Sequence, residues 1–211
     1  SKEQAMAMFL LTNKDIPLVS LVGPAGVGKS LVAIAAALEM VVEKKKYQKM
    51  IIYKPIESVG KEIGFLPGSI EDKVLPHFGS VLDSFEYLFN NGSKGKSHNW
   101  QDTLNMFIER GTIELQPLTY IRGRSINNAL IICDEIQNLG KHELKTLLTR
   151  SGQNNKIVCL GDVQQIDAGY DATNNALSIV IEKFKTYDLA GHMSLTKCER
   201  SSLAALASEI L

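Results

Sequence analysis

Leu18-Val19-Ser20-Leu21-Val22-Gly23-Pro24-Ala25-Gly26-Val27-Gly28-Lys29-Ser30 is the stretch whose reading decides the fold. Leu18 to Val22 is a short apolar strand. Gly23 to Ser30 fits G-x-x-x-x-G-K-S, and the residues after it open a helix, the context in which such a glycine loop holds phosphate. The glycines let the backbone curl so that successive N–H groups point inward, and the new helix adds its positive end. Lys29 is placed to reach β- and γ-phosphates, and the Ser30 hydroxyl to ligate magnesium. The nucleotide contacts expected here are Gly23, Pro24, Ala25, Gly26, Val27, Gly28, Lys29, Ser30 and Leu31. The cofactors implied are ATP and Mg2+.

Outward from this loop, strands and helices alternate. A helix over Lys2 to Leu11, with Ala5, Met8, Phe9 and Leu11 on its apolar side, precedes the first strand. The helix after the loop runs to about Glu43, where Lys44, Lys45 and Lys46 suit the negative end of its dipole. Further strands are expected at Met50 to Tyr53, Thr112 to Leu115, Ala129 to Asp134, Ile157 to Leu160 and Tyr187 to Leu189. Helices are expected at Ile70 to Phe89 with a break at Pro76, at Trp100 to Glu109, around Glu143 to Arg150, around Asn175 to Phe184, and from Ser202. Asn90 to Asn99 reads as a mobile loop. Short apolar strands joined by helical crossovers, with the glycine loop, make this an α/β chain, a three-layer P-loop NTPase with a mainly parallel sheet. One domain is expected over residues 1–211.

The strand Ala129 to Cys133 ends in Asp134-Glu135. Open α/β sheets bind ligands beyond the C-terminal ends of their strands. Asp134 can there hold the magnesium shell, and Glu135 can act as general base toward the water in line with the γ-phosphate. The strand Ile157 to Leu160 leads into Gly161-Asp162-Val163-Gln164-Gln165. If it lies between the two motif strands, the Gln165 amide faces the γ-phosphate; otherwise it belongs to a surface turn. Arg110, Arg122, Arg124, Arg150 and Arg200 stand among 23 basic residues. Arg200 is the best γ-phosphate clamp by virtue of its fork geometry, with a surface salt bridge to Glu199 as the alternative.

Composition narrows the rest. The formal net charge is zero, so no whole-chain basic field argues for nucleic acid. No apolar run is long enough to span a bilayer, so no membrane is expected as a partner. A start at Ser1 leaves room for flanking sequence. Cys133 and Cys159 sit in apolar strands and Cys198 stands apart, without zinc spacing. They read as structural thiols in a reducing, cytoplasmic compartment.

Taken together, these residues resemble the PhoH-like ATPase domain, a relative of the N-terminal RecA-like lobe of superfamily-one helicases. The most specific match is Glu57 to Gly68 with Glu71, Asp72, Lys73 and Pro76. It is joined by Arg122-Gly123-Arg124, Asp134-Glu135-Ile136-Gln137-Asn138, Leu148-Thr149-Arg150 and Gly161-Asp162 through Gln165-Ile166-Asp167. The resemblance covers most of the chain. It assigns nucleotide roles to Lys29, Ser30, Asp134, Glu135, Gln165 and Arg200, and likens Gln4 to the glutamine that recognises adenine in such helicases. Lys54-Pro55 stands where the family usually has Arg-Pro, on a loop expected to face nucleic acid, and Ser30 replaces the commoner threonine. No family role attaches to the segment from Asn90 through Trp100.

The function implied is magnesium-dependent ATP hydrolysis coupled to single-stranded RNA or DNA, RNA being favoured. The alternative is an ATP-dependent interaction switch with little turnover. Weak, salt-sensitive strand binding is expected near Lys54, Lys61, Arg122 and Arg124, with Phe65 either stacking a base or packing its loop. No second RecA-like lobe follows, so a homo-oligomer is expected. A ring would let Arg150 act in trans.

Overall fold

The computed structural model describes residues 1–56, 75–92, 99–166 and 169–197. Along the chain come α1 (Lys2–Thr12), β1 (Leu18–Val22), α2 (Lys29–Leu38), β2 (Lys49–Lys54), α3 (Gly79–Gly92), α4 (Trp100–Glu109), β3 (Ile113–Pro117), β4 (Ala129–Cys133), α5 (Lys141–Thr149), β5 (Lys156–Gly161), α6 (Ala176–Phe184) and β6 (Ala190–Ser194). The strands form one sheet in the order β3-β2-β4-β5-β1-β6, with every pairing parallel.

The alternation of side chains along the central strands builds two cores. Val19 and Leu21 of β1, Met50 and Ile52 of β2, Leu130 and Ile132 of β4, and Val158 and Leu160 of β5 face α1, α2, α3 and α4. Ile51, Tyr53, Ile131, Cys133, Ile157 and Cys159 face the other way, onto α5 and α6. Both faces are covered, which is why these strands read as unbroken apolar runs. Each fully buried aliphatic side chain contributes about 1.5–3 kcal/mol. Cys133 and Cys159 are buried in register on β4 and β5.

Helix α2 ends in a π-turn over Glu39–Glu43, closed by the Lys44 N–H on the Glu39 carbonyl at 2.8 Å. The expected helix to Glu43 therefore keeps its length but widens in its last turn. Pro76 lies in a 3-10 turn, Leu75–Phe78, that feeds α3.

Two expectations are corrected. The buried side of α1 carries Ala7 and Leu11, with Met8 and Leu10 partly buried, whereas Ala5 is exposed and Phe9 is 66% exposed. The cause is an anchor outside the helix. Lys156, fully buried at the start of β5, donates to the carbonyls of Leu10 (2.8 Å), Asn13 (2.7 Å) and Ile16 (2.8 Å). This fixes which face of the helix meets the sheet and places an ammonium at its negative end. Burial lowers the Lys156 pKa to about 8.

The last strand, expected at Tyr187 to Leu189, instead runs from Ala190 to Ser194. Tyr187 and Leu189 belong to the turn leaving α6, with the Tyr187 N–H on the Phe184 carbonyl and the Ala190 N–H on the Tyr187 carbonyl. Gly191 permits the strand to lie beside α1, since a Cβ there would come 2.8 Å from Leu10 Cδ2. The helix expected from Ser202 and most of the loop Asn90 to Asn99 lie outside the described residues. No described helix is long and apolar enough to cross a membrane.

Candidate active site

Strand β5 lies between β4 and β1, so three loops leave adjacent strand ends and meet. They line a cleft of about 320 Å³ with Ala25, Gly26, Gly28, Lys29, Ser30 and Leu31 on one side. Asp134, Glu135 and Gln137 follow β4, Gly161, Asp162 and Gln165 follow β5, and Ser80 and Ser84 look in from α3. The sheet thus brings Lys29, Ser30, Asp134, Glu135 and Gln165 together.

The glycine loop has the backbone its sequence requires. Gly26 and Gly28 adopt φ of 84° and 87°, the left-handed region that favours glycine, and Gly28 is the N-cap of α2. Gly23 is wedged at the strand end. Its N–H donates to the Gly161 carbonyl at 3.2 Å, and a Cβ there would collide with the Leu195 carbonyl. The Lys29 ammonium donates to the carbonyls of Gly23 and, at 3.0 Å, Pro24.

Asp134 is buried and accepts the Glu135 N–H at 2.9 Å. Burial raises its pKa, and Glu135 adds to the rise, against the opposing pull of Lys54, the Glu135 N–H and Lys29. A buried carboxylate and the Ser30 hydroxyl lining one cleft are hard-oxygen donors, and such a set fits a divalent cation shared with substrate phosphates. Glu135 itself sits at φ 53°, ψ 39°, a left-handed backbone that costs a non-glycine residue about 1–3 kcal/mol. Its carboxylate pairs with the Lys54 ammonium at 3.8 Å.

Several residues at the site had no assigned role in the sequence. Gln137 is buried and spans the two loops. Its Oε1 accepts the Asp162 N–H at 3.3 Å, and its Nε2 donates to the Gln165 carbonyl at 3.2 Å. Its place in the Asp134 to Asn138 pattern was the available signal. Asp162 in turn caps its own loop, accepting the Gln164 N–H on Oδ1 at 2.9 Å and the Gln165 N–H on its carbonyl at 3.2 Å. Ser80 and Ser84, four apart on α3, carried no motif.

Gln4 stands beside the cleft rather than in its lining. Its Oε1 accepts from the Ser1 amino group at 3.2 Å in a capping box, and its Nε2 would lie 3.4 Å from a Cβ at Gly28. The neighbouring Glu3 accepts the Thr196 N–H at 2.8 Å and hydroxyl at 2.6 Å, which clasps α1 to the segment after β6. Arg200, Lys61, Phe65 and the pattern Glu57 to Gly68 lie outside the described residues. Arg150 ends α5 next to Ser151, which bridges to Ile126 ahead of β4. It therefore lies at the sheet edge opposite the cleft.

One expected strand contact changes character. Arg124 turns inward, with Nη1 3.1 Å from Glu114 Oε2 and 3.4 Å from the Tyr53 hydroxyl, because Glu114 on β3 gathers both Arg124 and Lys49. Burial pushes the Glu114 carboxyl up, but its hydrogen bonds to these two cations outweigh that and leave it below the ordinary range. Arg122 remains exposed. It lines a second hollow of about 210 Å³ with Pro55, Ile56, Leu118, Thr119 and Asn138.

With this geometry in place, comparison with known proteins is direct. The family described as PhoH-like protein matches residues 1–210. The chain belongs to the PhoH-like family. It is 47% identical over 210 residues to protein PhoH2 of Bacillus subtilis (strain 168), which covers 99% of this chain and 46% of the relative. Protein PhoH2 of Thermobispora bispora is 38% identical over 212 residues, covering 100% and 46%. The chain thus spans about half the length of the curated relatives it matches. Among solved structures, Bacteroides sp Pif1 in complex with ADP-AlF4 aligns with a TM-score of 0.43 and 16% identity, over 99% of this chain and 44% of that one. As a member of this family, the chain is a P-loop, ATPase-like nucleotide-binding domain.

Proposed function

We propose that this chain hydrolyses ATP with magnesium and does so in response to single-stranded nucleic acid, RNA being favoured. The observation that carries the reading is the convergence of Lys29, Ser30, Asp134, Glu135 and Gln165 on one cleft from three adjacent strand ends. In this reading the loop N–H groups and Lys29 hold the phosphates. Ser30 and Asp134 hold magnesium, which when bound neutralises charge on the phosphate oxygens. Glu135 takes the proton of the in-line water. Gln165, fixed through its carbonyl by Gln137, presents its amide to the γ-phosphate. Gln4 beside Gly28 serves the adenine, and Arg200 clamps the γ-phosphate.

Nucleic acid is assigned to the same sheet edge. Exposed Arg122 and the half-apolar hollow beside Pro55 offer a cation and a surface for an unpaired strand. The oligomer belongs to the proposal as well. Arg150, at the end of the strands away from its own cleft, would act on a neighbour's, and a closed head-to-tail contact makes a ring. Phosphate release measured for the wild type and for Lys29→Ala, with and without poly-U, tests the reading. Equal release by the two proteins would sink it.

A further inference from the structure

The acidic pair is bracketed by two lysines, and only one of them belongs to the phosphate loop. Lys54 ends β2, the strand hydrogen-bonded to β4, and the Asp134 N–H donates to the Tyr53 carbonyl at 2.9 Å. The register places residue 54 beside the acidic pair. Pro55 favours extended backbone at Lys54. The Lys54 side chain is 16% exposed, and its ammonium lies 3.8 Å from Glu135 Oε1. The same charge opposes the rise in the Asp134 pKa.

This pair is long for a charge-assisted hydrogen bond, which closes to about 2.7–2.9 Å. Glu135 is 45% exposed, so the contact is also partly screened. A loose pair of this kind is easily exchanged for a better anion. Pro55, the residue after Lys54, lines the hollow that also carries Arg122. Lys54 therefore adjoins, along the chain, the hollow where an unpaired strand is proposed to lie.

We infer that Lys54 is a positioning residue that holds the Glu135 carboxylate in the resting chain, and that a phosphate of a bound single strand draws the ammonium away and frees Glu135 for the attacking water. The inference rests on the proposed hydrolysis and supplies its control. Strand binding and hydrolysis are then linked by one exchanged ion pair. No bond is made or broken in this step; only the partner of one ammonium changes.

The test is steady-state ATP hydrolysis by the wild type, Lys54→Met and Lys54→Arg, each with and without poly-U, alongside poly-U affinity against salt. Lys54→Met is expected to raise the rate without poly-U by about fivefold, the scale of one released exposed pair, and to abolish stimulation. Its salt slope for poly-U is expected to fall by about one phosphate contact. Lys54→Arg keeps the charge and is expected to retain stimulation. If Lys54→Met is stimulated as strongly as the wild type, or loses activity without poly-U while Lys54→Arg keeps it, the clamp is overturned and the hydrolysis reading stands. A wild type that releases no phosphate in either condition overturns that reading and the clamp with it.

Discussion

The Gln137 amide occupies the space that a side chain at residue 161 would need. A Cβ on Gly161 would collide with Gln137 Oε1 and come 2.7 Å from Leu177 Cδ2. The last residue of β5 is glycine because a buried amide from the neighbouring loop passes over it. Gly161 lies outside the left-handed residues of this chain, so the requirement there is for room and not for backbone freedom.

From this contact, Gln137→Leu is expected to lower kcat for ATP while leaving nucleotide affinity near the wild-type value, because Gln165 loses its tether and the phosphate loop does not. Gly161→Ala is expected to cost about 1–3 kcal/mol of stability, the scale of overpacking a close-packed site. Urea unfolding and nucleotide titration check the two. A Gln137→Leu protein with unchanged kcat would remove the amide from the mechanism.

Glu135 separates chemistry from binding and from stability. Glu135→Gln is expected to keep ATP binding and to slow hydrolysis by about a hundred- to ten-thousandfold, whereas Lys29→Ala loses tight binding. Glu135→Gly is expected to be equally inactive yet at least as stable as the wild type, since glycine meets the left-handed backbone without strain. A marked fall in melting temperature for Glu135→Gly would contradict the strain.

Magnesium dependence should track the donor set. Hydrolysis is expected to stop in excess EDTA and to return with added Mg2+, and Ser30→Ala is expected to require more of the ion. Undiminished turnover in EDTA would exclude the assignment of Ser30 and Asp134.

Lys156 makes a prediction about pH. Its folded pKa, about 8, lies below the ordinary 10.5. Between these values the unfolded chain binds more protons than the folded one, so the contribution of this group to stability rises with pH across that window and is flat below it. Lys156→Met lacks this titration and leaves buried carbonyls without a donor, at about 1–3 kcal/mol for each one left unpaired. Urea unfolding of both proteins at pH 7, 9 and 10 should show the wild-type advantage widening with pH. A constant difference would refute the shift.

The oligomer is tested by mixing. Lys29→Ala and Arg150→Ala are each expected to be inactive. Combined, they form some interfaces that join an intact phosphate loop to an intact arginine, so activity should return. No recovery, with a monomeric mass, would dispose of the ring.

Much of this site was legible because it is local in sequence. The phosphate loop follows its strand and precedes its helix without a break, and Asp134-Glu135 ends an apolar run. The strand order was legible only conditionally: Gln165 mattered if its strand lay centrally, and pairing with both β4 and β1 places it there. What escaped was set by distant contacts. Ser80 and Ser84 come from a helix with no motif. The inward turn of Arg124 depends on Glu114, on a neighbouring strand. The buried face of α1 carries Ala7 and Leu11 rather than Ala5 and Phe9, and the anchor at its end comes from the distant Lys156.

That lysine also bears on the order of folding. Its three carbonyl partners lie 140 to 146 residues earlier in the chain. A charge cannot enter the interior until those acceptors are in place. The centre of the sheet therefore cannot close while the N-terminal helix is adrift, and the helix cannot dock on its own until β5 has emerged. Loop closure of this span is slow, so α1 is among the last elements to be fixed.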